Sequence, residues 1–291
     1  MFAERISDMM IKPGSSPVFG TPKDYGLEYE DVRFQASDGV ELSGWIVKGG
    51  NRGIIVQSHF GVQSSRTGFT PEGKGMIKLW KTDIPFLRHV KALVEAGYSV
   101  LMYDFRNHGE SGGGTCPWVS WGPEEHKDVL AAIDFLTRHE SYRNSPVGLL
   151  SICMGAAATT YAYGNDEALR RNPNIKALIA VQPLLYPDFV HGLGIPGFLS
   201  RGASKVNLER TGIDLDKASF MPHVKHIPVP TLVVQNKNDP WANVEAVQHY
   251  YDELQVDKDL RWLDLSRDRA AAYHYLGESP EMIVDFFGKH I

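Results

Sequence analysis

Short continuous apolar runs alternate with stretches of helical spacing along most of this 291-residue chain. Residues such as Phe86, Val90 and Leu93 repeat at intervals of three and four, as they do on one face of a helix. Strands that are apolar on both faces and alternate with helices are typical of a parallel sheet covered on both sides. The pattern therefore predicts an α/β fold with a mostly parallel central sheet. The runs lie at residues 53–57, 99–103, 147–152, 177–181, 231–234 and 260–265.

Three further segments depart from this rhythm. Residues 29–37 and 40–47 alternate apolar and polar side chains around Asp38-Gly39, which predicts an antiparallel hairpin at the edge of the sheet. Residues 1–27 lack clear periodicity, and we expect them to form an arm on the body of a single domain that spans residues 28–291. Residues 183–229 are too long for a plain connection. We predict that they form a small helical cap.

Composition excludes several classes of function. The net charge is −5 at pH 7, so no basic surface favours nucleic acid or anionic membranes as partners. No apolar run approaches the roughly 18 residues of a membrane span, and the charged Glu4, Arg5 and Asp8 do not suit a signal peptide. Two cysteines, Cys116 and Cys153, do not imply a disulfide framework. We expect a soluble cytoplasmic protein, and a homo-oligomer remains open.

The most informative segment is the junction at Cys153, where the apolar run 147–152 passes into a run of small residues. A reactive side chain at such a sharp turn needs small residues two places to either side, because strand and helix approach closely. Around Cys153 these are Ser151 and Gly155, whereas around Ser151 one of them is the bulky Leu149. Spacing therefore selects Cys153, whose thiol would also lie at a helix N-terminus. The alternative is a buried cysteine that only packs.

The element order and the elbow of Ser151, Cys153 and Gly155 resemble the α/β-hydrolase superfamily, and the cysteine resembles its dienelactone hydrolase branch. Three other motifs lie where this superfamily has an oxyanion loop, a turn after the next strand and an acid turn; they are residues 57–61, 104–111 and 235–239. The sequence differs from the pattern at Ser58-His59 and at Gln235-Asn236, each of which replaces a His-Gly pair.

The resemblance implies a triad in the chain order nucleophile, acid, histidine: Cys153, Asp239 and His274. Beyond Asp239 the other histidines are His249, within a predicted helix, and His290, next to the last residue. We expect the base in a loop, so His274 is preferred. A carboxylate such as Asp239 would orient the imidazole. Asp239 could instead only form a turn before a proline.

By the same resemblance, the backbone N–H groups of Met154 and Phe60 would form the oxyanion hole. His59 and His108 have no partner at metal-ligand spacing, and the three glycines at 112–114 do not fit a phosphate loop. We therefore expect neither a metal nor another cofactor. Five large apolar residues could line a pocket or merely pack: Met76, Trp80, Trp118, Trp121 and Phe198.

These features together lead us to expect a hydrolase in which Cys153 attacks the carbonyl of an ester, lactone or thioester and forms an acyl-cysteine. The expected partner is a small-molecule acyl substrate. Two alternatives remain open, because a fold does not decide function. One is an acyltransferase or C–C bond hydrolase on the same scaffold, and the other is a non-catalytic binding protein.

Overall fold

The computed structural model describes residues 2–76 and 78–291, so Met1 and Ile77 lie outside the description. The strands are β1 (Tyr29–Gln35), β2 (Glu41–Val47), β3 (Gly53–Ser58), β4 (Gly68–Phe69), β5 (Ile84–Pro85), β6 (Tyr98–Tyr103), β7 (Val147–Ile152), β8 (Ile175–Val181), β9 (Thr231–Asn236) and β10 (Lys258–Leu263). The helices are α1 (Phe2–Ile11), α2 (Leu87–Glu95), α3 (His126–Arg138), α4 (Met154–Asn165), α5 (Glu167–Arg170), α6 (Tyr186–Gly192), α7 (Gly197–Thr211), α8 (Val244–Glu253), α9 (Ala270–Glu278) and α10 (Glu281–His290).

Eight strands form one sheet in the order β1-β2-β6-β3-β7-β8-β9-β10. Pairing is antiparallel between β1 and β2 and between β2 and β6, and parallel at every later step. The predicted α/β class, with a mostly parallel sheet and an N-terminal antiparallel hairpin, is confirmed. Gly39, with φ 84°, forms the hairpin turn in the left-handed conformation that glycine adopts without a steric penalty.

Burial follows the apolar runs of the sequence. Every residue of β3, β6, β7 and β9 is buried, as expected of central strands covered by helices on both faces. Strand β10 differs, because it lies at the sheet edge and most of its residues are exposed or half-buried. The helical spacing of Phe86, Val90 and Leu93 corresponds to α2, and the helix predicted around His249 is α8.

The N-terminal segment contains a helix that the sequence analysis did not predict. Helix α1 buries Ile6, Met10 and Ile11 and packs along α7. Arg210 of α7 donates a hydrogen bond to Asp8 of α1 at 2.8 Å. A helix of ten residues is marginal by itself, so its stability depends on tertiary packing that local periodicity does not reveal.

The segment predicted as a helical cap does contain helices, namely α6, α7 and a 3₁₀ turn at Met221–His226. It follows β8, and Phe189 of α6 packs against Trp121 and Trp241 at ring-centroid distances of 4.3 and 5.3 Å. These aromatic side chains lie beyond the carboxyl ends of the parallel strands, where open α/β sheets place their ligands. None of the helices in the described residues is long and apolar enough to cross a bilayer.

Candidate active site

Cys153 occupies the turn between β7 and α4, with φ 54° and ψ −108°. The predicted turn from strand to helix at Cys153 is therefore confirmed, and its φ is unfavourable for a residue other than glycine. A Cβ atom on Gly155 would lie 2.3 Å from the carbonyl oxygen of Ser58, and the hydroxyl of the buried Ser151 is 2.8 Å from that of Thr159. Close contact thus requires glycine at position 155, and Ser151 is fixed by a buried hydrogen bond. The surrounding packing holds the strain at Cys153, about 1–3 kcal/mol.

The loop after β3 lies against this elbow. A Cβ atom on Gly61 would approach the sulfur of Met154 to 2.5 Å, so a larger residue there would require the Met154 side chain to shift. Phe60 and Cys153 line the same pocket. Among the described residues, no acceptor receives a hydrogen bond from the backbone N–H of Met154 or of Phe60. Two free donors near the Cys153 thiol are the groups that an oxyanion hole requires.

His59 holds this loop in place. Its Nδ1 lies 2.9 Å from the hydroxyl of Ser64, and its Nε2 accepts a hydrogen bond of 3.0 Å from the N–H of Phe105. Burial, together with the nearby His108 and Arg66, lowers the pKa of His59 well below its usual value. The imidazole is therefore neutral and structural. In the described part of the chain, no group of three or more His, Cys, Asp or Glu is arranged to hold a metal ion.

Asp239 lies on the other side of the pocket, three residues after β9. Its side chain is fully buried. Oδ1 accepts a hydrogen bond of 3.0 Å from the N–H of Trp241, and Oδ2 accepts one of 3.3 Å from the amide of Gln235. Oδ2 also forms an ion pair with the guanidinium of Arg269. The charged partner of Asp239 is thus an arginine.

Arg269 is held by three different acceptors. Besides Asp239, its Nε donates to the hydroxyl of Tyr273 at 2.9 Å and its Nη2 donates to the carbonyl of Gln182 at 2.6 Å. Arg269 and Tyr273 both lie against the thiol of Cys153. A guanidinium carries five N–H donors, so donors remain available on the side of the thiol.

The protonation of these two groups follows from their surroundings. Burial alone would lower the pKa of Arg269, but the charge of Asp239 raises it above its ordinary value. Burial raises the pKa of Tyr273 well above its usual range, although Arg269 opposes this shift. Cys153 therefore faces a permanent cation and a neutral hydroxyl group.

His274 does not join this group. It is the fifth residue of α9, half-buried, and its imidazole makes no hydrogen bond to any described residue. Consecutive helical residues point about 100° apart, and the neighbouring Tyr273 is the one that faces the pocket. The expectation that His274 lies in a loop is wrong, because three alanines, strong helix formers, start α9 directly after Arg269.

The pocket around Cys153 is nearly closed and mostly aromatic, with free space of about 10 Å³, roughly that of one water molecule. Of the large apolar residues singled out in the sequence, Trp80 and Trp121 line it. Trp118 packs instead under Arg210, and Phe198 is 68% exposed. The lining residues are Phe60, Gly61, Val62, Leu79, Trp80, Trp121, Cys153, Phe189, Trp241, Arg269 and Tyr273.

Trp121 depends on a buried carboxylate for its position. Its φ is 63°, an unfavourable value for a bulky residue. Glu125 accepts hydrogen bonds from the N–H groups of Ser120 and Gly122 at 2.9 and 2.8 Å, which fixes the turn on both sides of Trp121. Sequence periodicity did not reveal Glu125 or Arg269, because each acts through contacts outside a regular element.

Comparisons with known proteins agree with this architecture. The family model described as Serine aminopeptidase, S33, matches residues 86–207, which is less than half of the chain. The uncharacterized protein YcjY of Escherichia coli is 30% identical over 94 residues, or 31% of this chain and 29% of that protein. The chain thus spans less than a third of this relative's length. The thiohydrolase aneE of Aspergillus aculeatus is 24% identical over 256 residues, or 83% of this chain and 72% of that protein.

The esterase Pf2001 of Pyrococcus furiosus superimposes with a TM-score of 0.66 at 22% identity, covering 96% of this chain and 97% of that one. The likeness therefore extends over nearly the whole sheet and its helices. With the strand order and the strained Cys153 elbow, it identifies the chain as a protein of the α/β-hydrolase fold.

Proposed function

We propose that this protein is a hydrolase that cleaves esters, thioesters or lactones through an acyl intermediate on Cys153. One observation carries the proposal: Cys153 is held at a strained elbow, beside the free backbone donors of Met154 and Phe60. Backbone strain of this kind clusters at active sites and ligand-binding sites. The printed names of two similar proteins, an esterase and a thiohydrolase, support the same class of reaction.

The first chemical step is attack by the Cys153 thiolate on the acyl carbonyl. The N-terminus of α4 and the cation of Arg269 both stabilise a negative charge on sulfur. The tetrahedral oxyanion then receives hydrogen bonds from the N–H groups of Met154 and Phe60, and such donors contribute about 3–4 kcal/mol each. Loss of the leaving group produces the acyl-cysteine, which water hydrolyses.

We assign Asp239 the role of holding Arg269, and we give His274 no part in the chemical step. Arginine remains protonated throughout the accessible pH range, so Arg269 cannot accept a proton as a histidine base would. Its contribution is electrostatic. The ion pair with Asp239 and the bond to Gln182 keep the guanidinium against the thiol.

The pocket indicates the kind of acyl group. Its walls are aromatic, and the free space between them is only about 10 Å³, far below the usual range of ligand pockets. The aromatic walls favour an apolar acyl group, which can enter only when the lining residues move apart. We propose that α6 and the following α7 act as a cap over it, since Phe189 of α6 forms part of the wall.

The test is hydrolysis of p-nitrophenyl acetate, an acetyl thioester and an enol lactone by the wild type and by Cys153→Ala. We expect the substitution to lower the rate at least about a thousandfold, because it removes the group that forms the covalent bond. Ser151→Ala is the matched control and should change the rate less than about threefold. An inactive Ser151→Ala with an active Cys153→Ala would overturn the proposal.

Intact-protein mass spectrometry separates an enzyme from a binding protein. A protein that only binds the ligand would show no acyl adduct after exposure to p-nitrophenyl acetate. The proposed hydrolase should gain one acetyl group on Cys153, and Cys153→Ala should not.

A further inference from the structure

We infer that the acyl group on Cys153 passes to a thiol in preference to water. The protein would then transfer acyl groups from one thiol to another, in addition to hydrolysing acyl-Cys153. This inference rests on the proposed acyl-cysteine. It starts from the chemistry that faces the sulfur: a cation, Arg269, and a hydroxyl, Tyr273, in place of an imidazole.

Proton acceptors are missing from the described lining of the pocket. Arg269 has no lone pair to offer. Burial keeps Tyr273 protonated. Both oxygens of Asp239 already accept hydrogen bonds or pair with Arg269. The loop after β3, the segment of Trp80 and the turn of Trp121 contribute no side chain that can accept a proton, because an indole N–H only donates.

Other titratable groups lie outside the pocket lining. The exposed Asp268 accepts a hydrogen bond of 3.1 Å from the indole N–H of Trp80 and does not line the pocket. Two more belong to α6. Asp188 interacts with Arg269 from outside the pocket lining, and burial raises the pKa of its carboxyl. His191 interacts with Asp188 and does not line the pocket either. None of these side chains therefore takes the place of an imidazole beside the acyl-cysteine.

The absence of a base affects water and thiols differently. Water must lose a proton as it attacks the acyl carbonyl, which requires a base close to the carbon. A thiolate acceptor has already lost its proton to solvent. It adds to the carbonyl, forms the new C–S bond, and the C–S bond to Cys153 breaks, which returns the Cys153 thiolate. Atoms, charge and electron pairs balance, and no group of the protein has to transfer a proton.

The same reasoning restricts the acyl donor. When Cys153 attacks, the leaving group departs without a proton from a strong acid, because Tyr273 is a poor acid in this environment. Donors whose leaving group is a stable anion, such as thioesters and phenol or enol esters, therefore react, and simple alkyl esters do not. The substrate class is a thioester donor with a thiol acceptor.

The experiment follows release of p-nitrophenolate from p-nitrophenyl acetate by the full-length protein. We expect a burst of one equivalent and then slow turnover, because deacylation by water is rate-limiting. With N-acetylcysteamine the slow phase should be at least about tenfold faster than with ethanol at the same concentration, and S-acetyl-N-acetylcysteamine should form. Cys153→Ala corrects for the direct reaction of the thiol with the ester.

Two outcomes separate failure of this inference from failure of the proposed function. A burst followed by turnover that is as fast in water as with the thiol would overturn thiol preference and leave the acyl-cysteine intact. Absence of any acetyl adduct on Cys153 would overturn the proposed function and this inference with it.

Restoring a histidine gives an independent test. Arg269→His places an imidazole between Asp239 and Cys153, and we expect the ratio of hydrolysis to thiolysis of acetyl-Cys153 to rise at least about tenfold. If this variant does not fold, the same question can be tested with the wild type. Without a base, the rate of hydrolysis of acetyl-Cys153 is proportional to the hydroxide concentration and rises about tenfold per pH unit. A plateau near neutral pH would reveal a titrating base and overturn the inference.

Discussion

The two sides of the Cys153 pocket are built in different ways. On the elbow side, backbone geometry makes the site: the turn at Cys153, the close contact of Gly155 with Ser58, and the free N–H groups of Met154 and Phe60. On the opposite side, which we call the acid corner, side chains make the site through the Asp239–Arg269 ion pair.

The difference between the sides shows which parts of the fold constrain chemistry most tightly. The elbow keeps the arrangement of the α/β-hydrolase fold, because steric contacts allow little else there. The acid corner keeps its carboxylate but holds a permanent cation where the resemblance implies a histidine. An arginine in place of a histidine leaves the sheet unchanged, but it removes the group that could accept a proton in the site.

The largest expected effect on stability concerns the acid corner. Arg269→Met leaves the buried carboxylate of Asp239 without its cation, and we expect the free energy of unfolding to fall by about 3–5 kcal/mol in urea denaturation. The double variant Arg269→Met/Asp239→Asn should recover part of this loss. As a control, Arg138→Met removes an exposed pair with Asp134 and should cost less than about 0.5 kcal/mol. Equal losses for the two arginines would show that the acid corner is no more than a surface ion pair.

On the elbow side, Gly155→Ala should destabilise the protein by about 2 kcal/mol. The added methyl group would meet the backbone of Ser58 at 2.3 Å, so β3 and α4 must move apart. The control is Gly202→Ala in α7, where the nearest atom is 3.5 Å away and alanine favours the helix by up to about 1 kcal/mol. Urea denaturation measures both variants. If Gly155→Ala had the same free energy of unfolding as the wild type, the close contact with Ser58 would not be what fixes the elbow.

A smaller effect depends on pH. The lowered pKa of His59 means that the folded protein keeps this imidazole neutral where the unfolded chain binds a proton. Above a pH of about 6.5 the imidazole is neutral in both the folded and the unfolded state, so His59 does not reduce the free energy of unfolding. Below that pH the free energy of unfolding falls by about 1.4 kcal/mol per pH unit. Comparing urea denaturation at pH 7 and pH 5, His59→Gln should flatten the dependence, whereas His249→Gln, at an exposed site on α8, should not. A slope that His59→Gln leaves unchanged would refute the buried neutral state.

The smallest expected effect is that of His274→Ala. Because His274 lies away from the pocket lining and makes no described hydrogen bond, we expect less than about 0.5 kcal/mol in stability and less than about twofold in the burst rate with p-nitrophenyl acetate. Loss of the burst in this variant would support the triad of Cys153, Asp239 and His274 that the sequence suggested. It would also contradict the role that we assign to Arg269.

The sequence by itself determined the sheet, its hairpin and the elbow. Apolar runs specify buried strands, and small residues around Cys153 specify where strand and helix meet, because both signals depend on neighbours within a few residues. It also placed Asp239 at the end of a strand. These features follow from local steric and burial requirements, and the structure reproduces them.

The tertiary structure alone decided which side chain meets Asp239. Arg269 is 30 residues away along the chain, and the contact depends on α9 beginning at Ala270, which directs His274 elsewhere. The packing of α1 on α7 was decided in the same way, by surfaces far apart in sequence. Both depend on long-range contacts, whose energies outweigh the weak local preferences that a sequence pattern reports.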